Sequence, residues 1–254
     1  RILSIMLFLG FLAPSVLSDT EYKAGIAKQC ITPEDGIWLS GYAAREKPSE
    51  GKLHDIFVKA LALEDAKGKR VVLLTSDVIG LSAEISEKVA KRVQEKTGLE
   101  RSSLMLTASH THSAPIVRSN LESMYDLPPE QWEKISQFNL MLEDKICQAI
   151  CDAVTNLKPA NVYRGCGSAD FAMNRREYTL DGIVIGNNPI GPVDHDVPVL
   201  KIEDESGTLI GVVFGYACHN TTLSGYEVNG DYAGFAQAYL EEEWPNVTAL
   251  YFIG

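Results

Sequence analysis

The sequence predicts an α/β protein: a mixed sheet of hairpins and βαβ units, with helices packed on it. Three observations predict it. Short β-branched runs alternate with segments of helical period. Gly, Pro, Asn and Asp punctuate the junctions. One order of elements, hairpin then helix then strand, occurs at 56–108 and again at 199–253. The two stretches share that order and not their residues, which predicts two similar hairpin–helix–strand halves.

An extended stretch at 22–31 ends at Thr32-Pro33 and leads into a Gly- and Pro-punctuated loop through Gly51. Runs 56–63 and 70–76 flank a turn with Gly68 and read as a hairpin. Ser82 can cap a helix whose apolar residues Ile85, Val89 and Val93 recur every fourth position, and Gly98 stands where a left-handed C-terminal cap belongs. Strand 70–76, helix 83–97 and strand 104–108 then form a βαβ unit with its strands parallel. An irregular excursion is expected over 116–135, containing Pro128-Pro129. A helix over 137–156 follows, with Ile146, Ile150 and Val154 on one face and Pro159 stopping it. The Gly-, Asn-, Pro- and Asp-rich segment 167–195 reads as loop. Runs 199–203 and 209–217 form the second hairpin, Asp231 begins a helix to Trp244, and 248–253 is the last apolar strand.

In open α/β sheets, sites form beyond the carboxyl ends of parallel strands. Those ends carry Asp77, residues 109–112, His219 and finally Gly254, so further functional residues are expected beyond Gly254.

Bulk properties narrow the function. The chain has 254 residues, enough for one substantial core. Its net charge of −11 excludes nucleic acid as a partner and gives no attraction to anionic membranes. An apolar lipid substrate stays compatible with that charge. The chain opens on Arg1 rather than Met, so its start is expected upstream. The apolar run 2–17 behind that basic residue, then Ser18 and the polar Asp19-Thr20-Glu21, has the layout of a secretory signal peptide over 1–18. Export to the cell surface, periplasm or exterior is therefore expected, with 19–254 forming the folded domain. Five cysteines fit no simple disulfide framework, and Cys147 and Cys151 read as small buried hydrophobes on a helix. Two sequons begin at Asn220 and Asn246.

Two of the five histidines stand in His110-Thr111-His112, just past a strand. Neutral imidazoles at i and i+2 can reach one cavity and bind zinc; a pair of surface-loop histidines fits the same spacing. The hydroxyls of Thr107, Ser109, Thr111 and Ser113 are placed to fix a ring tautomer. His219 follows a second strand in the matching place, which raises the case for a shared metal site. Asp77 is placed either to orient a histidine or to cap the next loop. Asp231 reads as a helix N-cap, the Asp194-His195-Asp196 run as solvated turn, and His54-Asp55 as ambiguous. Arg175 fits either a stabiliser of a substrate oxygen or an exposed charge. A metallo-β-lactamase pattern requires Asp where Ala114 stands, and an amidohydrolase barrel requires its HxH on an opening strand.

Further segments, in order, carry a resemblance: Gly41-Tyr42-Ala43, Lys52-Leu53-His54-Asp55, the strand ending at Asp77, TASHTHSAP at 107–115, Asn174-Arg175, Asp194 with Val199-Leu200, Cys218-His219-Asn220-Thr221, and Gly230-Asp231 through Gly234. Together they resemble the amino-terminal catalytic domain of the neutral/alkaline (non-lysosomal) ceramidase superfamily. The resemblance implies a catalytic Zn2+ held by His110 and His219, with a Glu and a Tyr from further along the family's sequence that have no counterpart here. It implies that His112 polarises the substrate carbonyl or moves a proton, with Arg175 assisting. The implied reaction is amide hydrolysis, separating a fatty acid from a sphingoid base, with a lipid small-molecule substrate and transient contact with a membrane surface. With two ligands missing, this chain is expected to hold half a site and to lack turnover. Two departures are expected to border the site and bear on substrate choice: Ala114-Pro115-Ile116-Val117 replaces Gly-Pro-Gly-Gly, and Arg176-Glu177 replaces Ser-Pro. The alternatives are a related exported hydrolase of a non-lipid amide or ester, and an inactive binding domain of the same fold.

Overall fold

The computed structural model describes residues 22–34 and 36–254, so the expected signal peptide at 1–18 lies outside the described residues. Strand β1 (Tyr22–Cys30) precedes a loop and the two-residue β2 (Gly51–Lys52). Strands β3 (Phe57–Glu64) and β4 (Arg70–Ser76) form the expected hairpin, and β3 also pairs antiparallel with β1. Helix α1 (Ala83–Thr97) crosses over to β5 (Leu104–Leu106), which lies parallel to β4 as the βαβ reading requires. Local chemistry sets the helix boundaries. The Ser82 hydroxyl accepts from the Ile85 N–H at 3.3 Å, and Gly98, at φ 74°, closes the helix on the Gln94 carbonyl. Ile85, Val89 and Val93 are buried, each contributing about 1.5–3 kcal/mol of apolar burial.

Helix α2 (Pro129–Thr155) begins well before the expected position 137. Pro129 does not break it: at the first helical position its missing N–H needs no acceptor and its fixed φ suits the helix. Gln131, Ile135, Phe138 and Leu142 extend the buried face forward. The structure also corrects the reading of 167–195. Strand β6 (Lys158–Ser168) pairs antiparallel with β9 (Asp196–Asp204) along its length from Ala160, and β7 (Asn174–Thr179) and β8 (Gly182–Asn188) form a separate hairpin. Strand β9 turns into β10 (Leu209–Tyr216) as expected. After the two-residue β11 (Glu227–Val228), helix α3 (Asp231–Glu243) leads to β12 (Thr248–Ile253), parallel to β10.

The main sheet has the order β12-β10-β9-β6-β1-β3-β4-β5. Each half is a strand, an antiparallel hairpin, a helix and a final parallel strand: β1-β3-β4-α1-β5 and β6-β9-β10-α3-β12. The duplication of element order therefore extends one strand further than the sequence suggested. Strands β1 and β6 pair only through residues 22–24 and 158–160, and beyond that seam the halves face one another. Ala24 and Leu61 from one half pack on Ile202, Val213 and Leu250 from the other. The opposite face of the first half packs on α1 and α2 in the largest cluster. This facing arrangement joins the carboxyl ends of the parallel strands. The Ile253 N–H reaches the Ala108 carbonyl at 3.4 Å, and Gly254 N–H the Tyr216 carbonyl at 3.1 Å. Among the described residues, no helix is long and apolar enough to cross a membrane.

Candidate metal centre

Strand β5 ends at Leu106, and the chain beyond it bends rather than continuing as a straight strand. Its backbone is held by Ser109 N–H on the Ser76 carbonyl and His110 N–H on the Val78 carbonyl. His110 adopts φ 60°, a left-handed conformation uncommon for a side-chain-bearing residue. In this loop burial alternates: Ser109, Thr111 and Ser113 are fully buried, while His110 and His112 are half-buried. The third imidazole, His219, arrives from the loop after β10.

The three imidazoles converge through their Nε2 atoms. The separations are 3.2 Å for His110–His219, 3.4 Å for His110–His112 and 3.2 Å for His112–His219. A carbonyl can only accept, so the 2.6 Å contact from His110 Nδ1 to the Ile79 carbonyl places the proton on Nδ1 and leaves a lone pair on Nε2. In neutral imidazoles each Nε2 is either donor or acceptor. Three mutual neighbours therefore include at least one mismatched pair, and a cation at their centre removes the mismatch. The dimensions fit: zinc–nitrogen bonds of about 2.0–2.1 Å in tetrahedral geometry imply nitrogen–nitrogen edges of about 3.3–3.4 Å. Electrostatics agrees. Burial, then the charges on His110 and His219, pushes the His112 pKa down to about 4, and burial together with His110 and Arg175 lowers that of His219. Both rings are thus neutral near pH 7, the form that can bind a metal or accept a proton.

The surroundings of His112 distinguish it. Its ring packs edge-on with Tyr42 at a centroid distance of 4.9 Å and close against Gly41, where a Cβ would collide with it. Its Nδ1 is buried and has no hydrogen-bond partner. Arg45, which the sequence reading missed, donates to the His112 carbonyl at 3.0 Å and the Gly225 carbonyl at 2.7 Å. That guanidinium is buried between the Tyr42 and Tyr226 rings.

Other expected positions resolve as follows. Arg175 sits on β7, is exposed, and lies near enough for its charge to lower the pKa of both His112 and His219. Asp77 orients no imidazole; its buried carboxylate accepts from Phe57 N–H and Gln237 Nε2. The flanking hydroxyls fix no ring nitrogen either. Thr107 and Thr111 donate to the carbonyls of Leu74 and Asn229, and the Ser109 and Ser113 hydroxyls have no partner. Gly230, not Asp231, is the residue preceding α3; Asp231 is its first helical residue and is wholly buried. His54 packs on Gly230 and Gly234 and accepts from Gly230 N–H, away from the triad. Asp194, His195 and Asp196 are exposed but form no turn: Asp196 opens β9 opposite Ser168, and His195 Nδ1 donates to the Ala169 carbonyl at 2.9 Å. Asn220 is fully buried, whereas Asn246 is exposed. Ala114, Ile116 and Val117 are core residues, so that departure from the family pattern lies behind the site rather than in it. Among the described residues all five cysteines are free thiols.

Fold and site together define an α/β protein in which three imidazoles from two loops converge within reach of a single cation. Residues 22–251 match the model for neutral/alkaline non-lysosomal ceramidase, N-terminal, and the chain belongs to that family. It is 27% identical over 240 residues to the neutral ceramidase of Pseudomonas aeruginosa, covering 91% of this chain and 35% of the relative. It is 27% identical over 264 residues to the neutral ceramidase of Drosophila melanogaster, covering 96% and 36%. The chain thus spans about a third of the length of these relatives. A crystal structure of neutral ceramidase from Pseudomonas aeruginosa superposes with a TM-score of 0.77 at 24% identity, over 93% of this chain and 39% of the other. A ceramidase structure complexed with C2 gives 0.77 at 23%, over 92% and 38%. At these identities the two structures establish the shared fold.

Proposed function

We propose that this chain forms the metal-bearing part of an exported zinc-dependent hydrolase that cleaves the amide bond of ceramide into a fatty acid and a sphingoid base. The observation carrying this reading is the convergence of three Nε2 atoms at 3.2–3.4 Å in a chain of the ceramidase family. His110 and His219 would hold the zinc. His110 is prepared for it, because a ligating histidine characteristically donates its other ring nitrogen, and His110 donates to Ile79. His112 lacks that support at Nδ1, which favours the separate role of meeting the substrate carbonyl or moving a proton. Zinc, when bound, supplies Lewis acidity and activates water near neutral pH.

The residues of the chain do the rest. His112 is neutral at pH 7 and free to accept a proton at Nε2. The Arg175 guanidinium, on the hairpin beside the triad, is suited to an oxygen that gains negative charge. Tyr42 and Gly41 hold the His112 ring from behind. Leu180, Ile183, Ile185 and Ile190 are exposed on or beside the Arg175 hairpin, which supports transient contact with a membrane surface during capture of an apolar substrate.

The test uses the protein expressed from its complete reading frame, with metal analysis and a fluorogenic ceramide assay. Wild type should carry stoichiometric zinc and release fatty acid. His110→Ala and His219→Ala should lose the metal, whereas His112→Ala and Arg175→Ala should keep it and lose turnover. Metal-free wild type, or zinc retained in both His110→Ala and His219→Ala, would reject the assignment.

A further inference from the structure

The loop carrying His110 and His112 and the loop carrying His219 belong to different halves of the fold. Both are tied to one short segment, 229–233, at the start of α3. On the first side, the Thr111 hydroxyl donates to the Asn229 carbonyl at 2.9 Å, and Asn229 N–H to the Ser113 carbonyl at 3.0 Å. These bonds bracket His112. On the second side, both carboxylate oxygens of Asp231 hold the His219 loop. Oδ1 accepts from the Thr222 N–H at 3.0 Å and the Thr222 hydroxyl at 2.7 Å, and Oδ2 accepts from Leu223 N–H at 2.8 Å. Asn220, next to His219, donates to the Gly230 carbonyl at 3.0 Å and accepts from Ala233 N–H at 3.3 Å.

The two sides meet inside the segment, where the Asn229 side-chain carbonyl accepts from Asp231 N–H at 2.8 Å. The segment is itself held from outside: His54 Nε2 accepts from Gly230 N–H at 3.2 Å, and its ring fills the space beside Gly230 and Gly234. Asn229 and Asp231 are buried, and Asp231 has φ 54°. That left-handed backbone is one a side chain adopts only where its surroundings hold it. An ordinary N-cap would aim its carboxylate at the helix N–H groups. Asp231 contributes one such bond, to its neighbour Tyr232 N–H, and directs the rest at the loop carrying His219. Bonds to a carboxylate are stronger than those between neutral groups, and the Asp231 carboxylate is itself buried.

We propose that Asp231, locked in place by Asn229, is a positioning residue for the metal centre. It sets the His219 loop at the distance from the His110–His112 loop that keeps the three Nε2 atoms in contact. The proposal rests on the reading of the triad as a metal centre and concerns geometry alone; Asp231 touches neither metal nor substrate.

The test is cobalt(II) binding to the protein expressed from its complete reading frame. The readouts are the dissociation constant and the intensity of the visible d–d bands, which reports four-coordinate geometry. Asp231→Asn keeps the size of the side chain but turns one acceptor oxygen into a donor facing another N–H. It should bind cobalt at least tenfold more weakly and with weaker bands. Thr222→Val, at an exposed position, removes one of the bonds to Oδ1 and should give a smaller loss of a few-fold in the same direction, which decides the matter should Asp231→Asn fail to fold. Ile202→Val, in the cluster between the two sheet halves, controls for lost stability and should leave affinity and spectrum unchanged. Asp231→Asn that folds with wild-type affinity and spectrum overturns the proposal, as does Thr222→Val with wild-type binding where the first variant cannot be made. Wild-type protein that takes up no cobalt would instead overturn the metal-centre reading, and the proposal with it.

Discussion

Gly41 lies against the Cβ, Cγ and Nδ1 side of His112, so closely that a Cβ built on it would collide with those atoms. Its φ of 91° is also outside the range that residues with side chains readily adopt. Its N–H donates to the Tyr125 hydroxyl at 2.7 Å, so the backbone cannot simply retreat. Gly41→Ala should therefore displace His112 rather than shift the loop. We expect a loss of about 1–3 kcal/mol from overpacking, read from urea denaturation. Turnover in the ceramide assay should fall more steeply than zinc affinity if His112 serves the substrate. Wild-type kinetics in this variant would show that the position of the ring does not matter.

Protonation of the triad gives a second expectation, for the metal-free protein. His112 is pushed down to about 4, by burial first, and His219 is lowered for the same leading reason. In the unfolded chain both titrate near about 6.5. Between those values the unfolded state binds more protons, so stability declines as pH falls from about 6.5 towards about 4. Urea midpoints at pH 7, 5.5 and 4.5 should fall in that order, with a shallower fall in His112→Ala. Saturating zinc should raise the midpoints and extend the decline to lower pH, because metal bound to the folded state competes with the proton.

The parts of this molecule that were legible in its sequence are those whose causes are local. Ser82 and Gly98 mark both ends of α1 by cap chemistry that needs no partner elsewhere. The hairpins before α1 and α3 follow from alternating apolar runs around short turns, and each helix then returns the chain to a parallel strand. His110, His112 and His219 were legible as a group because each lies just past such a strand. Strand β6 was not, because most of its side chains beyond Val162 are exposed and its register is set by β9, with partners from Asp196 opposite Ser168 to Asp204 opposite Ala160. Nor were Arg45 and Asn229. Their bonds join side chains to backbone carbonyls separated by 180 and 118 residues, and no spacing rule encodes such links.

A third expectation concerns the contact between the halves at α3. Lys59 is 2% exposed, and its Nζ donates to Glu241 at 2.7 Å and to the Ala249 carbonyl at 2.8 Å. Burial works to raise the Glu241 pKa, but the Lys59 charge and hydrogen bonds from Lys59, Lys28 and Ala249 N–H outweigh it and hold the carboxyl below its usual range. A depressed carboxyl stabilises the fold above its unfolded value of about 4.3, and that contribution is lost as pH falls through the folded value. Glu241→Gln leaves the Lys59 ammonium buried without its counter-charge. It should cost about 3 kcal/mol at pH 7. The gap from wild type should narrow below about pH 4, and a gap independent of pH would refute the electrostatic account.

The last expectation follows from how Arg45 is held, through its two Nη atoms while its buried Nε has no partner. It is buried, yet among the described residues it forms no ion pair; its Nη atoms reach the carbonyls of Gly225 and His112, and aromatic rings cover its faces. The two carbonyls belong to the segment after His219 and to the loop of His110 and His112, so one planar group spans both. Burial lowers its pKa, but a guanidinium retains its charge where an ammonium readily gives it up. Lysine offers a single nitrogen and no flat face, so it cannot hold both carbonyls and stack on Tyr42 and Tyr226 together. Arg45→Lys should therefore behave much like Arg45→Met. Each should lower stability by about 2–3 kcal/mol, as expected when buried carbonyls lose charged donors. Each should also weaken zinc binding several-fold, because the His112 carbonyl loses its anchor. Near-wild-type stability and zinc affinity in Arg45→Lys would mean that positive charge alone suffices there, and that the fork geometry of the guanidinium contributes nothing.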